Sequence, residues 1–465
     1  MTDDADQIAP ESRTGDGDAY ALDRRRVTAI LHALDVQDRD ALIAQMEPLH
    51  PADVADLIEQ ITPQDRRRFV ALAGDRIGGE LLSELEEGLR EEVIGLLSPE
   101  ILLEAVRDLD SDDVVDLLED LEEAQRSAIL GALDAPERIA VQQSLTYPEY
   151  SAGRLMQREL VMAPEHWTVG QAIDHMRERE DLPNQFYHVF LVDPKMRPVG
   201  NVTLGRIMSS RRSVALKDIV EEVFRVFPAT DSETDVAYAF NQYHLISAPV
   251  VDESERLVGM ITIDDAMAVL DEEHEEDILR LGGVVEEASL SDTVLQAARG
   301  RATWLFVNLL TAIFASLVID LFADTIDQMV ALAVLMPIVA SMGGNAGTQT
   351  MTVAVRSIAT RDLTAQNALR VAGREVTVGA LNGALFGLVM AGVAAVWFGV
   401  PMLAAVIALA MLLTQIAAAL GGIAIPILLD RFGIDPALAS GPFVTTITDV
   451  VGFFTFLGLA SMVLL

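Results

Sequence analysis

One carboxylate lies inside an otherwise apolar stretch near the end of the chain. The stretch is TTITDVVGFFTFLGLASMVLL, residues 445–465, and Asp449 lies about one turn inside its start. A charged side chain at the centre of a bilayer costs about 2.5–3.5 kcal/mol, and such residues usually face a cavity or a partner. The stretch contains no Lys, Arg or His to pair with Asp449. A permeating cation is therefore the expected counter-ion, and a protonated Asp hydrogen-bonded within a helix bundle is the alternative.

Further oxygen donors accompany this carboxylate. Thr445 precedes Asp449 by four residues, which places both on one face of a helix. The segment GGNAGTQ, residues 343–349, adds Asn345 and Gln349. The chain has no Cys and only seven His, so oxygen ligands indicate a hard cation, Mg²⁺ or Ca²⁺. Because Mg²⁺ gives up its waters reluctantly, a site with one carboxylate per chain favours a hydrated ion. An ion pathway past Asp449, Thr445 and Asn345 is the prediction.

Two acidic runs form a second group of candidates. On a helix, LDSDDVVDLLEDL (109–121) places Asp112, Asp116 and Asp120 on one stripe. DEEHEED (271–277) is the other run. Like charges so crowded repel each other unless a divalent cation neutralises them. The runs therefore favour cation binding, and a solvated acidic surface is the alternative.

The acidity of the chain belongs to its first part. The 465 residues are 51% hydrophobic, with a mean hydropathy of +0.31 and a formal net charge of −38. Residues 301–465 contain six Arg, no Lys and eight acidic residues, so that about −36 falls on residues 1–300. Such acidity opposes nucleic-acid binding and favours cations. These numbers predict a strongly acidic region followed by a membrane domain in the lipid bilayer.

The first part divides further by its residue pattern. An acidic disordered tail is predicted for 1–22 and an all-α superhelical domain for 23–150, where residues 50–72 resemble 111–130 at a spacing of 60. For 151–275 the order helix, strand, strand occurs twice, which predicts a paired α/β module. The expected strands are HVFLVD, PVGNVTL, SAPVVD and LVGMITI, and the expected helices are TVGQAIDHMRER and ETDVAYAFNQY.

Five apolar segments predict an α-helical transmembrane domain. They lie at about 302–322, 326–342, 376–398, 402–429 and 442–465. The second segment contains Pro337 and is followed by GGNAG, which predicts a discontinuous helix that lines a cavity. Four Arg in the loop predicted for 343–375 (356, 361, 370 and 374) make that loop cytoplasmic by the positive-inside rule. Five spans then place the acidic region inside and the C-terminus outside.

The chain resembles the MgtE magnesium channels and transporters from about residue 25 onward. PIVASMGGNAGTQT (337–350) and TTITDVVGFF (445–454) are the most specific parts of the likeness. The resemblance implies a homodimer in the bacterial cytoplasmic membrane and no enzyme activity. It also implies a superhelical N domain (23–150), a tandem CBS domain (151–275), a connecting plug helix (276–303, centred on 291–303) and five membrane helices (304–465).

The resemblance also implies roles for particular residues. Asp449 would line the pore and recognise hydrated Mg²⁺, and cytosolic Mg²⁺ bound by acidic residues would close the channel. The expected sensor residues are Asp112, Asp113, Asp116, Asp265, Glu273, Glu276 and Asp277. Low Mg²⁺ would then separate the cytosolic domains, release the plug and open the pore.

The CBS repeats resemble nucleotide-binding modules in one half only. In the second repeat, Thr262 and Asp265 match a Thr-x-x-Asp pattern that holds a nucleotide ribose in many CBS domains. The first repeat has Thr203 and Arg206 at the corresponding place. One possible ATP site is therefore predicted, and Asp265 equally suits the Mg²⁺ sensor.

Three other functions fit parts of the pattern. A coupled exchanger such as a Na⁺/Mg²⁺ exchanger would need a second ion site, and the spans contain one clear carboxylate, Asp449. An intramembrane aspartyl hydrolase needs two carboxylates that share a site. A membrane-anchored CBS sensor without transport would not need five spans and an Asp within one of them. Magnesium transport is the function that the sequence favours.

Overall fold

The chain forms two compact units, residues 1–270 and 271–465, and each is described by itself. The computed structural model describes residues 22–107, 109–119, 121, 123–179, 182–183, 185–284 and 294–464. Of the predicted tail, only Leu22 falls within these ranges.

Short helices joined by tight turns build the first part of unit 1. They are α1 (Arg24–Val36), α2 (Arg39–Met46), α3 (Pro51–Gln60), α4 (Pro63–Ala73), a 3₁₀ turn (Gly74–Arg76), α5 (Gly79–Ser83), α6 (Glu87–Leu96), α7 (Pro99–Arg107), α8 (Ser111–Glu119), α9 (Glu123–Ala132) and α10 (Ala135–Ser144). One continuous apolar core joins these helices. Side chains at their starts cap them, as where Asp38 accepts the N–H of Ala41 at 3.0 Å. The predicted all-α architecture is confirmed.

The predicted 60-residue repeat recurs in the hydrogen bonds. Arg66 on α4 donates from Nε to the carbonyl oxygen of Ile58 at 3.2 Å. Sixty residues later, Arg126 on α9 donates from Nε to the carbonyl oxygen of Leu118 at 3.0 Å. Arg66 is buried and also pairs with Glu92. Each Arg satisfies a carbonyl at the end of the preceding helix, and so fixes the angle of the helical hairpin.

Two three-stranded sheets form the second part of unit 1. The strands are β1 (Val161–Pro164), β2 (His188–Val192), β3 (Pro198–Thr203), β4 (Phe227–Pro228), β5 (Ser247–Val251) and β6 (Leu257–Thr262), in the orders β1-β2-β3 and β4-β5-β6. The first pair in each sheet is parallel and the second antiparallel. The two repeats therefore share one topology. The four expected strands are confirmed, whereas β1 and β4 were not predicted.

Helices flank these strands. They are α11 (Ala152–Leu155), α12 (Val169–Glu178), α13 (Leu204–Ser209), a 3₁₀ turn (Leu216–Asp218), α14 (Glu233–Tyr243) and α15 (Ile263–Leu281). Both helices predicted for this region occur, as α12 and α14. Thr168 begins α12 with a capping box in which Gln171 reaches back to the N–H of Thr168 at 2.9 Å.

Unit 2 contains five helices long and apolar enough to cross a membrane among the residues the structure describes. Its helices are α16 (Val294–Asp320), the short α17 (Ala323–Gln328), α18 (Ala331–Ala359), α19 (Ala368–Phe398), α20 (Pro401–Arg431) and α21 (Pro436–Val463). The central helix is α20, which packs against α18, α19 and α21. The five predicted spans are confirmed, although most helices extend beyond the predicted segments.

The prediction of a discontinuous second membrane helix is wrong. Helix α18 continues through Pro337 and through GGNAG to Ala359. Gly343 and Gly347 serve close packing instead of a turn, since a Cβ on either would lie 2.7 Å from a side-chain carbon of a neighbouring helix. The connection to α19 therefore shortens to residues 360–367. The start of the membrane domain also differs from expectation. The predicted plug (276–303) is not a separate helix from Val294 onward, because these residues belong to the first membrane helix, α16. Residues 285–293 of the predicted plug lie outside the described residues.

Candidate ion pathway and acidic cluster

Helix α21 carries Asp449 and Thr445 on one face. Asp435 caps the start of this helix by accepting the N–H of Ala437 at 2.7 Å. The helix continues through Pro442, whose carbonyl oxygen accepts the hydroxyl of Thr446 at 2.6 Å. Asp449 is half-buried and Thr445 is exposed. A carboxylate within a membrane span that is not enclosed by its own chain faces water or a second chain, because lipid does not solvate it.

A close approach of α18 and α21 lies beside Asp449. Thr448 is fully buried, and its Cγ2 lies 3.0 Å from the position a Cβ on Gly347 would take. Its hydroxyl donates to the carbonyl oxygen of Thr445 at 2.9 Å, so the polar atom stays within its own helix. The absence of side chains at Gly343 and Gly347 admits Thr448, which fixes the rotation of α21 and directs the neighbouring Asp449 away from this contact.

The opposite face of α18 is exposed and polar. Asn345 lies two residues from Gly343 and from Gly347, which places it about half a helical turn away from the packed face. The exposed polar stripe of α18 consists of Ser341, Asn345, Thr348, Gln349, Thr352 and Arg356. Within the described residues no hydrogen bond joins Asn345 to Asp449. The structure thus brings Asp449 and Thr445 onto one face, and places Asn345 on a polar face of a neighbouring helix.

Two adjacent residues of α20 connect the helices that carry these groups. Gln415 is 3% exposed and donates from Nε2 to the carbonyl oxygen of Met342 on α18 at 3.2 Å. Thr414 is also buried, and its hydroxyl lies 3.4 Å from that of Thr455 on α21. Sequence reasoning assigned no role to Gln415. A polar pair within an apolar helix was the available signal.

The first acidic run lies on α8, and both ends of that helix are bound to the α/β part of unit 1. At its start, the Ser111 hydroxyl donates to Glu159 at 2.8 Å and accepts the N–H of Arg158 at 2.9 Å. At its end, Glu119 pairs with Arg154. Between these contacts the predicted sensor residues Asp112 and Asp113 come together with Asp265.

Burial and mutual repulsion raise the pKa values of these carboxyls. Asp112 is 8% exposed, and burial together with the nearby Asp265 raises its pKa well above the usual range. Burial, followed by the charge of Asp265, raises the pKa of Asp113 to about 7. Burial is also the main cause that raises the pKa of Asp265 to about 6. Carboxylates in this arrangement repel one another and favour a proton or a cation.

Asp110 and Asp264 also contribute charge to this cluster, which sequence reasoning missed. Burial and the charges of Glu159 and Asp264 raise the pKa of Asp110. The acidic cluster consists of Asp110, Asp112, Asp113, Asp264 and Asp265. Asp264 adjoins a predicted residue and Asp110 lies in the first acidic run, so charge density along the sequence was the available signal.

The remaining predicted sensor residues have other partners. Asp116 on α8 is exposed and pairs with the buried Arg90 at 2.5 Å, and Asp120 lies outside the described residues. In unit 2, Glu276 pairs with Arg280 at 2.7 Å. Burial and the charges of Asp435 and Glu273 raise the pKa of Asp277. Among the described residues, no three His, Asp or Glu side chains are already arranged to hold a metal ion.

The two CBS repeats differ at the predicted nucleotide position. Asp265 accepts the hydroxyl of Thr262, and also the N–H of Thr262 at 3.4 Å, so that it caps the start of α15. In the first repeat, Arg206 donates from Nη1 to the carbonyl oxygen of Val220 at 2.8 Å. The first repeat therefore has a guanidinium bound to the main chain at the position where the second repeat has the carboxylate of Asp265.

Comparison with protein-family models finds three matches along the chain. Residues 336–459 match the MgtE model, described as a divalent cation transporter. Residues 49–150 match the MgtE intracellular N domain. Residues 152–213 and 216–272 match the CBS domain. The matches follow the order expected from the sequence.

Curated relatives match over nearly the full length. The chain is 31% identical to the magnesium transporter MgtE of Thermus thermophilus, over 95% of this chain and 99% of the relative. It is 29% identical to the magnesium transporter MgtE of Bacillus subtilis, over 94% and 96%. A solved cytosolic domain of the Mg²⁺ channel MgtE in complex with ATP covers 52% of this chain and 99% of its own, with 27% identity and a TM-score of 0.48.

Proposed function

The chain belongs to the MgtE family of divalent cation transporters, and we propose that it conducts Mg²⁺ into the cell and closes when cytosolic Mg²⁺ rises. Two relatives that match over at least 94% of the chain are magnesium transporters. The family consists of transporters and channels and not of enzymes, so Mg²⁺ is the cargo of this protein and not a catalytic cofactor. In this proposal Mg²⁺ would also be its regulator.

The observation that carries this proposal is the half-buried Asp449 on a membrane helix. Its position beside Thr445, together with the polar stripe of α18, would provide a water-filled path lined with oxygen atoms. A single carboxylate per chain suits an ion that keeps its waters, since it supplies charge without replacing the hydration shell. The carboxylate would attract Mg²⁺ electrostatically and accept hydrogen bonds from the bound waters.

A homodimer would complete this path. Asp449, Thr445 and the α18 stripe are not covered by their own chain, and exposure of a polar face to lipid is costly. A second copy related by a two-fold axis would bring two such faces together and add a second Asp449. Two carboxylates around one hydrated divalent ion would balance its charge.

The distribution of arginine supports the proposed orientation. Arg356, Arg361, Arg370 and Arg374 all lie near the 360–367 connection, and the positive-inside rule makes that connection cytosolic. The acidic N domain and CBS domain then lie in the cytosol, and the C-terminus lies outside the cytoplasmic membrane. Ions that pass Asp449 would enter the cytosol, where the acidic cluster would bind them.

Closure would follow from neutralisation of the acidic cluster. The carboxyls of Asp112, Asp113 and Asp265 repel each other in a partly desolvated position. Mg²⁺ would remove this repulsion and hold α8 against the CBS domain, whereas loss of Mg²⁺ would separate them and release the plug. Glu273, Glu276 and Asp277 would add to the sensor close to the membrane domain. Thr262 and Asp265 would also suit an ATP ribose in the second CBS repeat.

Uptake into proteoliposomes tests the proposal. Purified wild-type protein is reconstituted with a Mg²⁺ indicator inside, and uptake is measured at low and at high Mg²⁺ on the cytosolic face. We expect uptake above that of empty vesicles at low Mg²⁺ and suppression at high Mg²⁺. A folded wild-type protein that gives no uptake would overturn the transport proposal, and uptake that is insensitive to cytosolic Mg²⁺ would overturn the gating proposal.

A further inference from the structure

Arg280 joins the end of α15 to the beginning of the helix that carries Asp449. Its Nη2 lies 2.7 Å from Oε2 of Glu276, and its Nη1 lies 2.8 Å from Oδ2 of Asp435. The Arg280 side chain is 16% exposed, which makes these ion pairs less accessible to screening than surface pairs. All three residues belong to unit 2. One guanidinium is therefore shared between the acidic run of α15 and the start of α21.

An apolar contact accompanies the ion pair. Leu281 packs on a small core formed by Met351 and Val355 of α18 and by Ala437 and Val444 of α21, and Ile425 of α20 packs on the same core. The last turn of α15 thus rests on the same helices that carry the α18 stripe and Asp449. The packing of the partly buried Leu281 holds this turn in place, and the ion pair of Arg280 with Asp435 adds an electrostatic attraction.

Asp435 has two functions at this point, which can be separated. Its Oδ1 accepts the N–H of Ala437 at 2.7 Å and caps α21, while its Oδ2 pairs with Arg280. An Asn side chain keeps a capping oxygen and caps helices about as well as Asp, but it carries no charge. Asp435→Asn therefore removes the ion pair and leaves the cap in place.

We propose that Arg280 is a positioning residue that couples the acidic run of α15 to α21. This inference rests on the proposed closure by cytosolic Mg²⁺. In the structure, Glu276 and Asp435 share the guanidinium. A divalent ion bound at Glu276 and its acidic neighbours displaces Arg280 toward Asp435, and the stronger pair holds the start of α21 in the closed position.

The test is Mg²⁺ uptake by proteoliposomes that contain the full-length chain, measured over a range of Mg²⁺ concentrations on the cytosolic face. We expect Asp435→Asn to raise the half-inhibiting Mg²⁺ concentration by about fivefold, which is the upper range for an ion pair of this exposure. Asp430→Asn removes an exposed carboxylate near the end of α20 and serves as the matched control. Uptake at low Mg²⁺ should be similar in both variants and the wild type.

A double-mutant cycle identifies the pair. Arg280→Gln should shift the half-inhibiting concentration in the same direction, and Arg280→Gln with Asp435→Asn should add little to either single change. If Asp435→Asn inhibits like the wild type, or if the two shifts add fully, the coupling role is overturned while the proposed function stands. A wild type that cytosolic Mg²⁺ does not inhibit would overturn the gating proposal and this inference together. If Arg280→Gln does not fold, the comparison of Asp435→Asn with Asp430→Asn decides alone.

Discussion

Gln415 and Met342 join two membrane helices through one buried hydrogen bond. The amide nitrogen of Gln415 on α20 donates at 3.2 Å to the Met342 carbonyl on α18, directly before Gly343 and Gly344. The adjacent Thr414 fills the space at Gly343, where a Cβ would lie 2.7 Å from its Cγ2. The glycine segment of α18 is therefore held by α20, and its packed face in turn positions α21 at Thr448.

Loss of this hydrogen bond should weaken the ion pathway more than the fold. Gln415→Met keeps a similar volume and removes the donor, so we expect a loss of about 1 kcal/mol in stability, as for other hydrogen bonds between membrane helices. Mg²⁺ uptake should fall several-fold, because the α18 segment loses its tether. Leu413→Met, at a more exposed position of α20, is the control for both thermal unfolding in detergent and uptake. Uptake at the wild-type level in Gln415→Met would show that the tether does not position the pathway.

The close packing of Gly422 on α20 against α18 leads to a second prediction about stability. A Cβ on Gly422 would lie 2.7 Å from the carbonyl oxygen of Gly347 and 2.8 Å from Cβ of Thr350, whereas a Cβ on Gly392 would meet nothing within 4 Å. Gly422→Ala should therefore lower stability by about 1–3 kcal/mol through overpacking. Gly392→Ala should be neutral or slightly stabilising, since Ala favours helix. Equal melting temperatures of the two variants in detergent would contradict this packing.

The acidic cluster predicts a pH dependence in the absence of Mg²⁺. The pKa of Asp113 rises from an ordinary 3.8 to about 7 in the folded chain, so the folded state binds this proton more tightly than the unfolded state. The resulting stability is present below pH 4 and is lost as the pH rises toward 7. Resistance of the cytosolic region to limited proteolysis in EDTA should therefore increase from pH 8 to pH 5.5.

Two comparisons test the origin of that pH dependence. Asp113→Asn should reduce it, because the substituted amide does not titrate while Asp112 and Asp265 still do. Mg²⁺ at pH 8 should restore resistance in the wild type. The exposed Asp40 on α2, which lies outside the acidic cluster, provides the control variant Asp40→Asn. A wild type that becomes more susceptible to protease at pH 5.5 would contradict the assignment of raised pKa values to the cluster.

Local patterns predicted the elements of this fold well. Helical periodicity, the 60-residue repeat and the β-branched runs correspond to α3, α4, α8, α9 and strands β2, β3, β5 and β6. The short strands β1 and β4 were missed, because runs such as Phe227–Pro228 are defined by pairing with a distant strand and not by composition. The prediction of a break at GGNAG failed for a similar reason. Glycine indicates a turn locally, but here it permits contact with Thr414, Val444 and Thr448.

The candidate sites were predictable in part. A carboxylate in an apolar span is conspicuous, so Asp449 could be selected from the sequence, and the structure adds that Thr448 is packed while Asp449 is half-buried. The acidic runs were equally visible. The different surroundings of the residues within the first run could not be predicted. Only the tertiary structure shows that Asp113 lies near Asp265 while Asp116 pairs with Arg90. The role of Arg280 was also hidden, since Asp435 lies 155 positions later in the chain.

The most direct test of Mg²⁺ permeation past Asp449 is uptake by proteoliposomes that contain Asp449→Asn, Asp449→Ala or the wild type at low cytosolic Mg²⁺. Thr446→Val serves as the control, because the Thr446 hydroxyl is bonded within α21. We expect Asp449→Ala to abolish uptake, Asp449→Asn to reduce it at least tenfold, and Thr446→Val to retain most of it, with all variants folded. Wild-type uptake by folded Asp449→Ala would contradict the account, and the ion pathway would have to lie elsewhere in the membrane domain.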